Sequence, residues 1–389
     1  MSDTGHWMSD VLDSPNPTLV GRELKGVQVT RFAGTRLKRR ISGVAAVSTI
    51  TALTLLAPTT VIAGAAAKPA SPMATTLAYL RHGLPNLHGK TVAYLAECVT
   101  ENTYCQARLR GAQQMARKSH VKLTVYDAGF STSTQLSQVQ DAIQKGFDGY
   151  VFSPVASATG CADFKLLEAT KRPIATINSP MCGNPGYTPG TVGFVGMQTQ
   201  QFFTEHVENA FKSCKGNCEA VAVGGYVGSD LFTRWENAIK AAQVKYPNVT
   251  VVSNQPGNFT ASDAFTVVQD ALTSHPNVSI VVSSWDDMTR GVASAITASG
   301  KIPGKDVRIY SVGGTSYGVQ QVKKGAWNET SVLLPIEESA YGFVQLFRDM
   351  ATGKATPGMT FLAQAPAVTK GPGSIFITRS NASKFHPEY

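Results

Sequence analysis

The feature that most restricts the fold of this chain is a regular alternation of short apolar runs with helical segments from residue 90 onward. Runs rich in Val, Ile and Tyr predict strands at residues 91–96, 121–127, 149–153, 173–178, 219–224, 249–253, 278–283, 307–312 and 330–334. Because these runs are apolar throughout, they indicate strands buried on both faces of a parallel sheet.

Helical segments are predicted between these strands, at residues 200–212, 231–245, 261–274 and 287–299. Repeated strand–helix alternation predicts a doubly wound α/β fold. A chain of 389 residues can hold two such lobes, each with its own sheet, and two lobes suit this length better than one large sheet. A ligand site is then expected just beyond the carboxyl ends of the strands.

Residues 1–67 are predicted to be an export leader. A basic cluster at 36–40 precedes an uncharged apolar run at 41–62, and the small residues at 63–67 fit the rule for signal-peptidase cleavage. The apolar run is also close to the roughly 20 residues that span a bilayer, so an uncleaved N-terminal anchor is the alternative. Residues 68–87 are predicted to be a linker. This arrangement predicts an exported protein of the cell envelope, periplasm or extracellular space, with or without a membrane tether.

The six cysteines are an even number, as expected where disulfides persist outside the cytoplasm. Six cysteines allow fifteen pairings. The favoured set joins residues that are close in sequence or at the ends of neighbouring strands: Cys98–Cys105, Cys161–Cys182 and Cys214–Cys218. A zinc site is not predicted, because Cys214 and Cys218 have no second pair of ligands at a suitable spacing.

Charge and motifs exclude several function classes. Residues 1–67 hold 7 of the 35 basic and 4 of the 26 acidic side chains, and the remaining 28 and 22 are scattered along the chain. Scattered charge predicts no nucleic-acid binding. The sequence contains no nucleophile elbow, phosphate-binding loop, dinucleotide fingerprint or metal-spaced cluster, so it predicts neither an enzyme nor a cofactor. Adjacent Asp286 and Asp287 would diverge on a helix instead of flanking a glycosidic bond.

The residues that follow the strands combine aromatic and hydrogen-bonding side chains. The candidate site residues are Asn102, Tyr104, Asn178, Arg234, Phe259, Trp285, Asp286 and Gly313. Such a mixture suits a small organic ligand, because rings stack on its faces and fixed polar groups bind its oxygens.

Several ordered segments together resemble the type I periplasmic binding proteins, in the sugar-binding branch related to ribose-binding protein. The segments are 148–155, Arg234-Trp235-Glu236, 255–259, 275–278, 286–291, Lys323-Lys324-Gly325 and 377–381. The resemblance covers about residues 88–389 and depends on the order and spacing of all the segments.

This resemblance implies two α/β lobes that are joined by three hinge crossings and close around a ligand. The N-terminal lobe is expected at 88–193 plus 335–365, and the C-terminal lobe at 194–334 plus 366–389. The crossings are expected near residues 192–195, 334–336 and 363–366. The closed form is the one that a membrane permease recognises.

Four of the candidate residues match ligand positions of the family. Asn102 and Tyr104 match the asparagine and first aromatic residue of its first loop. Arg234 matches an arginine whose planar guanidinium grips ring oxygens. Phe259 matches an aromatic residue that stacks on the ligand.

Other positions depart from a pentose-binding pattern. Cys105 stands where the family has a second aromatic residue, and Asn178-Ser179 stands where it has an Asp-Arg pair. Trp285 replaces an asparagine, Gly313 replaces an aspartate, and Leu333 replaces a glutamine. Each unpaired hydroxyl of a buried sugar costs about 1–3 kcal/mol. The departures therefore predict a larger or less polar ligand than ribose: a deoxy or methylated sugar, a cyclitol, or a ring-bearing carboxylate held by Arg234.

Structural roles are the alternatives for several candidates. The three aromatic residues can equally pack in the core. Asp286 is well suited to capping the next helix, and Gly313 to a strand-to-helix turn. Glu97 and Glu101 are expected to be solvated or to stabilise their loop, and not to contact a ligand.

The resemblance and the strand-end residues together predict the exported binding component of an ABC-type importer. It is expected to be a monomer that captures a small sugar or sugar-like molecule and hands it to a membrane permease. The alternatives are a binder of a less polar ring-bearing carboxylate, or a ligand sensor that feeds a kinase or chemotaxis receptor. A transcription regulator of the same fold would need a helix-turn-helix before the first lobe, where this chain has its leader.

Overall fold

In the computed structural model the described residues are 83–184, 186–353, 360–361 and 375–389. The first run of elements is β1 (Thr91–Ala96), α1 (Thr103–Lys118), β2 (Lys122–Asp127), α2 (Thr132–Lys145), β3 (Gly149–Phe152), α3 (Ser157–Ala169), β4 (Ile174–Ile177) and β5 (Gly193–Val195). The second run is α4 (Gln200–Lys212), β6 (Cys218–Gly224), α5 (Asp230–Lys245), β7 (Val249–Pro256), α6 (Ala261–Ser274), β8 (Val278–Ser283), α7 (Asp286–Ala298), β9 (Arg308–Gly313), α8 (Ser316–Lys324) and β10 (Glu329–Val332). The last elements are α9 (Pro335–Thr352), β11 (Thr360–Phe361), β12 (Phe376–Thr378) and a 3-10 turn at Ala382–Lys384.

These strands form two six-stranded sheets. The first has the order β11-β5-β4-β3-β1-β2, and all its strand pairs are parallel. The second has the order β12-β10-β9-β8-β6-β7, and only β12 is antiparallel to its neighbour. The predicted two-sheet α/β class is confirmed.

Burial explains why the sequence forms these elements. The central strands β3 and β4 are buried at every position, as their unbroken apolar runs predict. The surface helices bury one stripe: in α6 the buried residues Ala264, Val268 and Leu272 lie at helical spacing. In contrast, α9 is buried at every position from 338 to 347.

All the predicted strands are present, and their ends differ from the prediction by three residues at most. The sequence reasoning missed β5, β11 and β12, which have only two or three residues each. Runs this short show no detectable periodicity, because one alternation cannot be told from chance.

The chain passes between the sheets after β5 and again between β10 and α9. The predicted lobe boundary at residue 193 is wrong, because it falls inside β5, which pairs with β4 and β11 of the first sheet. The second passage agrees with the predicted crossing, since α9 begins at Pro335 and packs on α1 and the first sheet. The other lobe boundaries stay predictions.

Some predictions fall outside the described residues. They are the leader at 1–67, most of the linker at 68–87, and the third crossing at 363–366. Within the part of the chain that the structure describes, no helix is both long and apolar enough to span a membrane.

Candidate ligand-binding cleft

A cleft lies where the loops at the carboxyl ends of the two sheets meet, as expected for doubly wound sheets. It encloses about 510 Å³, including its open mouth. The first sheet contributes Glu97, Cys98, Asn102, Tyr104, Cys105, Phe130, Pro154, Val155, Asn178 and Ser179. The first crossing contributes Gln198, and the second sheet contributes Tyr226, Ser229, Leu231, Phe259 and Trp285.

The structure brings five of the eight candidate residues to this cleft: Asn102, Tyr104, Asn178, Phe259 and Trp285. The other three, Arg234, Asp286 and Gly313, are not among the lining residues.

The first wall of the cleft is a loop held by a helix cap and a disulfide. Asn102 precedes α1 and its Oδ1 accepts a hydrogen bond from the Cys105 backbone N–H at 3.0 Å. A disulfide joins Cys105 to Cys98 across the same turn. The structure also pairs Cys161 with Cys182 and Cys214 with Cys218, the connectivity that the sequence favoured. With both sulfurs bonded, Cys98 and Cys105 cannot join nearby Glu101 as thiolate metal ligands.

A buried hydrogen-bond network forms the floor of the cleft. The Tyr104 hydroxyl donates to Glu338 Oε2 at 2.5 Å, and its oxygen lies 3.3 Å from Asn178 Oδ1. The Asn178 amide donates in turn to Glu97 Oε1 at 2.9 Å. Asn178 has a positive φ of 68°, a conformation that asparagine tolerates better than most residues. Three segments far apart in sequence are thereby tied together.

Beneath this floor Glu97 forms an ion pair with Arg108. Glu97 is 4% exposed and Arg108 is fully buried. Arg108 Nη1 also donates to Ser153 Oγ at 3.1 Å. Glu97 is thus not the solvated loop residue that the sequence analysis expected, because its carboxylate points inward at the end of β1. Its position directly after a strand could have identified it.

Burial controls the protonation of this network. Desolvation raises the pKa of Glu338 to about 7, although nearby Arg108 and the Tyr104 hydroxyl oppose the shift. Burial also raises the pKa of Tyr104 well above its usual value, and Glu338 adds to the effect. Desolvation alone would lower the pKa of Arg108, but the Glu97 carboxylate, together with Glu338 and two nearby tyrosines, more than reverses this. The Tyr104 hydroxyl therefore remains a donor at neutral pH.

Aromatic rings pack at the inner end of the cleft. The Trp285 ring meets the Tyr104 ring edge-on, with centroids 5.5 Å apart. The ring of Tyr389 stacks on Trp285, with the ring centroids 6.0 Å apart and an interplanar angle of 17°. The Tyr389 hydroxyl donates to the Gly313 carbonyl at 2.9 Å, which fixes this support in place. The indole N–H of Trp285 is buried and has no hydrogen-bond partner among the described residues.

A second aromatic group joins the two sides of the cleft. Phe130 follows β2 of the first sheet, while Tyr226 and Phe259 follow β6 and β7 of the second. The Phe130 ring stacks on Phe259 at 6.1 Å and meets Tyr226 at 5.8 Å. The Tyr226 hydroxyl also donates across the cleft to the Val155 carbonyl at 2.6 Å. Phe130 and Tyr226 were missed, although the strand-end rule that found Phe259 applies to them.

The family assignment agrees with this architecture. A family model described as a periplasmic binding protein domain matches residues 93–355, well over half of the chain. The chain belongs to the periplasmic binding protein family.

Relatives of this periplasmic binding protein include importer components. The ribose import binding protein RbsB of Salmonella typhimurium is 24% identical, over 66% of this chain and 84% of its own length. The xylitol-binding protein of Mycolicibacterium smegmatis is 25% identical, over 63% of this chain and 66% of its own. Among solved structures, a galactofuranose-binding protein superposes with a TM-score of 0.68 at 19% identity, covering 76% of this chain and 96% of that one. A Caulobacter myo-inositol-binding protein gives a TM-score of 0.68 at 19% identity, covering 77% and 97%.

In this periplasmic binding protein, Arg234 is not among the residues that line the cleft. Its Nε pairs with Asp230 at 2.7 Å, one helical turn earlier on α5. Its Nη1 donates to the backbone carbonyl of Gln198 at 2.6 Å. Burial lowers the pKa of Arg234, and Asp230 partly offsets this. Arg234 therefore supports the first crossing, where the sequence analysis expected it to grip the ligand.

Asp286 and Gly313 have structural roles in place of the predicted ligand contacts. The fully buried Asp286 carboxylate accepts hydrogen bonds from Ser311, Thr330 and the backbone and hydroxyl of Thr315. It therefore anchors the start of α8 and does not cap α7, the helix on which it lies. Burial raises the pKa of Asp286 to about 6, against the effect of these bonds. Gly313 has a φ of 149°, and a Cβ there would lie 2.8 Å from the Asp286 carboxyl, so it leaves no room for a ligand.

Proposed function

We propose that this protein binds a small sugar or sugar-like molecule between its two lobes and delivers it to the permease of an ABC-type importer. The observation that carries the proposal is the cleft at the carboxyl ends of both sheets, in which aromatic rings and hydrogen-bonding side chains share the wall. Aromatic faces pack on the C–H faces of a sugar ring, and amides and hydroxyls bind its oxygens. The relatives named for ribose import and for xylitol binding support this ligand class.

Closure is the proposed mechanism. Contacts already cross the cleft, including the hydrogen bond from Tyr226 to Val155 and one of 3.1 Å from Thr103 Oγ1 to Asp287. A ligand that touches both walls adds contacts only when the lobes are together, so it shifts the population toward the closed state. The permease then distinguishes loaded from empty protein by its shape. The protein acts outside the cytoplasm and carries out no catalysis in this proposal.

A thermal-shift screen of the purified full-length chain against pentoses, hexoses, deoxy sugars and cyclitols tests the proposal. A ligand at about 100 times its Kd stabilises the folded state by about 2.7 kcal/mol. This is expected to raise the Tm by about 5 °C. Calorimetry should then give one ligand per chain. No shift with any neutral sugar or cyclitol at millimolar concentration would contradict the proposal.

A further inference from the structure

Glu97 is a buried carboxylate whose hydrogen bonds are incomplete. Its Oε1 is bonded by both Arg108 and Asn178. Its Oε2 is shielded from solvent and accepts no hydrogen bond from any residue that the structure describes. Glu97 lines the cleft, so a hydroxyl donor on a bound ligand is the natural partner for this oxygen.

Trp285 has the complementary deficit. Its indole N–H is a donor only, it is buried, and no acceptor faces it among the described residues. A hydroxyl group can both donate to a carboxylate and accept from an indole. A polyhydroxylated ring therefore satisfies Glu97 and Trp285 together.

The charge of the cleft argues against an anionic occupant. The residues that line it include no lysine, arginine or histidine. Arg108 is fully buried behind Glu97, and Arg234 is engaged by Asp230 and the Gln198 carbonyl. A ligand carboxylate or phosphate would approach Glu97 with no exposed cation to offset the repulsion.

We infer that the Glu97 carboxylate discriminates between neutral and anionic ligands. It accepts a hydrogen bond from a neutral polyhydroxylated ring, and it repels rings that carry a carboxylate or phosphate. This inference rests on the proposed function, because it names the ligand class of the same cleft. The inference also excludes one ligand class that the sequence left open, a ring-bearing carboxylate held by Arg234.

The test compares neutral sugars with their acids by calorimetry, using D-galactose against D-galacturonate, D-glucose against D-glucuronate, and D-ribose against D-ribose 5-phosphate. The wild-type chain is expected to bind at least one neutral sugar, and to bind it at least tenfold more tightly than its acid. The variant Glu97→Gln is expected to narrow this ratio at least fivefold, because an amide can donate to an anion. Glu101→Gln is the matched control: Glu101 lies in the same loop, is exposed and does not line the cleft.

Glu97→Gln leaves the buried Arg108 charge unpaired, so the double variant Glu97→Gln/Arg108→Gln keeps the test valid if the single one fails to fold. A folded double variant with the wild-type ratio would overturn the inference, as would a wild-type chain that binds an acid as tightly as its neutral sugar. In both cases the proposed function survives if a neutral sugar binds. A wild-type chain that binds no neutral sugar or cyclitol of the thermal-shift screen overturns both.

Discussion

Phe130 offers the sharpest perturbation of lobe closure, because its ring belongs to the first lobe and contacts two rings of the second. Its ring stacks on Phe259 and meets Tyr226 edge-on, and we expect both contacts to be lost when the lobes separate. Each aromatic pair contributes about 0.5–1.5 kcal/mol beyond the area it buries. Phe130→Ala therefore removes about 1–3 kcal/mol from the closed state, which raises the Kd about 5- to 150-fold.

The Phe130→Ala substitution is not expected to change the backbone strain at this position. Phe130 has a positive φ of 59°, and alanine at the same position keeps a Cβ and therefore a similar strain. The measurement is calorimetry with a sugar identified by the thermal-shift screen. Phe265→Ala is the matched control, since Phe265 is a half-buried ring on α6 that does not line the cleft. A Phe130→Ala variant that binds the sugar within twofold of wild type would refute the closure argument.

Three further predictions concern buried groups. Asp286→Asn is expected to lower the free energy of unfolding, measured by urea titration, by about 1.5–3 kcal/mol. The Kd of the folded variant for the sugar should stay within twofold of wild type, because Asp286 does not line the cleft. Tyr104→Phe removes the hydroxyl that donates to Glu338 and lies beside Asn178, so the free energy of unfolding should fall by about 1–3 kcal/mol and the sugar should bind more weakly. Unchanged stability and affinity would argue against the floor network. Burial raises the pKa of Glu329 to about 8 from its usual 4.5. The folded protein therefore keeps a proton that the unfolded chain has released, and stability falls as the pH rises through 8. Between about pH 6 and pH 9, the free energy of unfolding of Glu329→Gln should fall less than that of wild type. Equal falls in the two proteins would contradict this.

The sequence predicted the sheets well because burial leaves a direct mark on composition. A strand covered on both faces is usually rich in apolar residues, and β3 and β4 are such strands. β5 left no such mark. Its three residues, Gly193–Val195, depend on pairing with β4 and β11, and this information lies elsewhere in the chain.

The site was predicted in part, and the errors have a common cause. Position after a strand led to Tyr104 and Trp285, which line the cleft, because the fold brings all strand ends to one place. It could not show which way a side chain points. Asp286 follows Trp285 directly, yet one ring lines the cleft and the next carboxylate turns into the interior.

Long-range contacts were beyond the same reasoning. Glu338 lies on α9, 234 residues after the Tyr104 that it bonds. Nothing in its local sequence distinguishes it from a surface glutamate in the first turn of a helix. Only the packing of α9 on α1 places it in the floor of the cleft.

A crystal structure of the protein with a sugar identified by the thermal-shift screen tests the central claim most directly. The account predicts one sugar molecule between the two sheets, in contact with Tyr104, Asn178 and Trp285, and with a ring hydroxyl on Glu97 Oε2. A sugar bound at another surface, or an empty cleft in a crystal saturated with ligand, would contradict it.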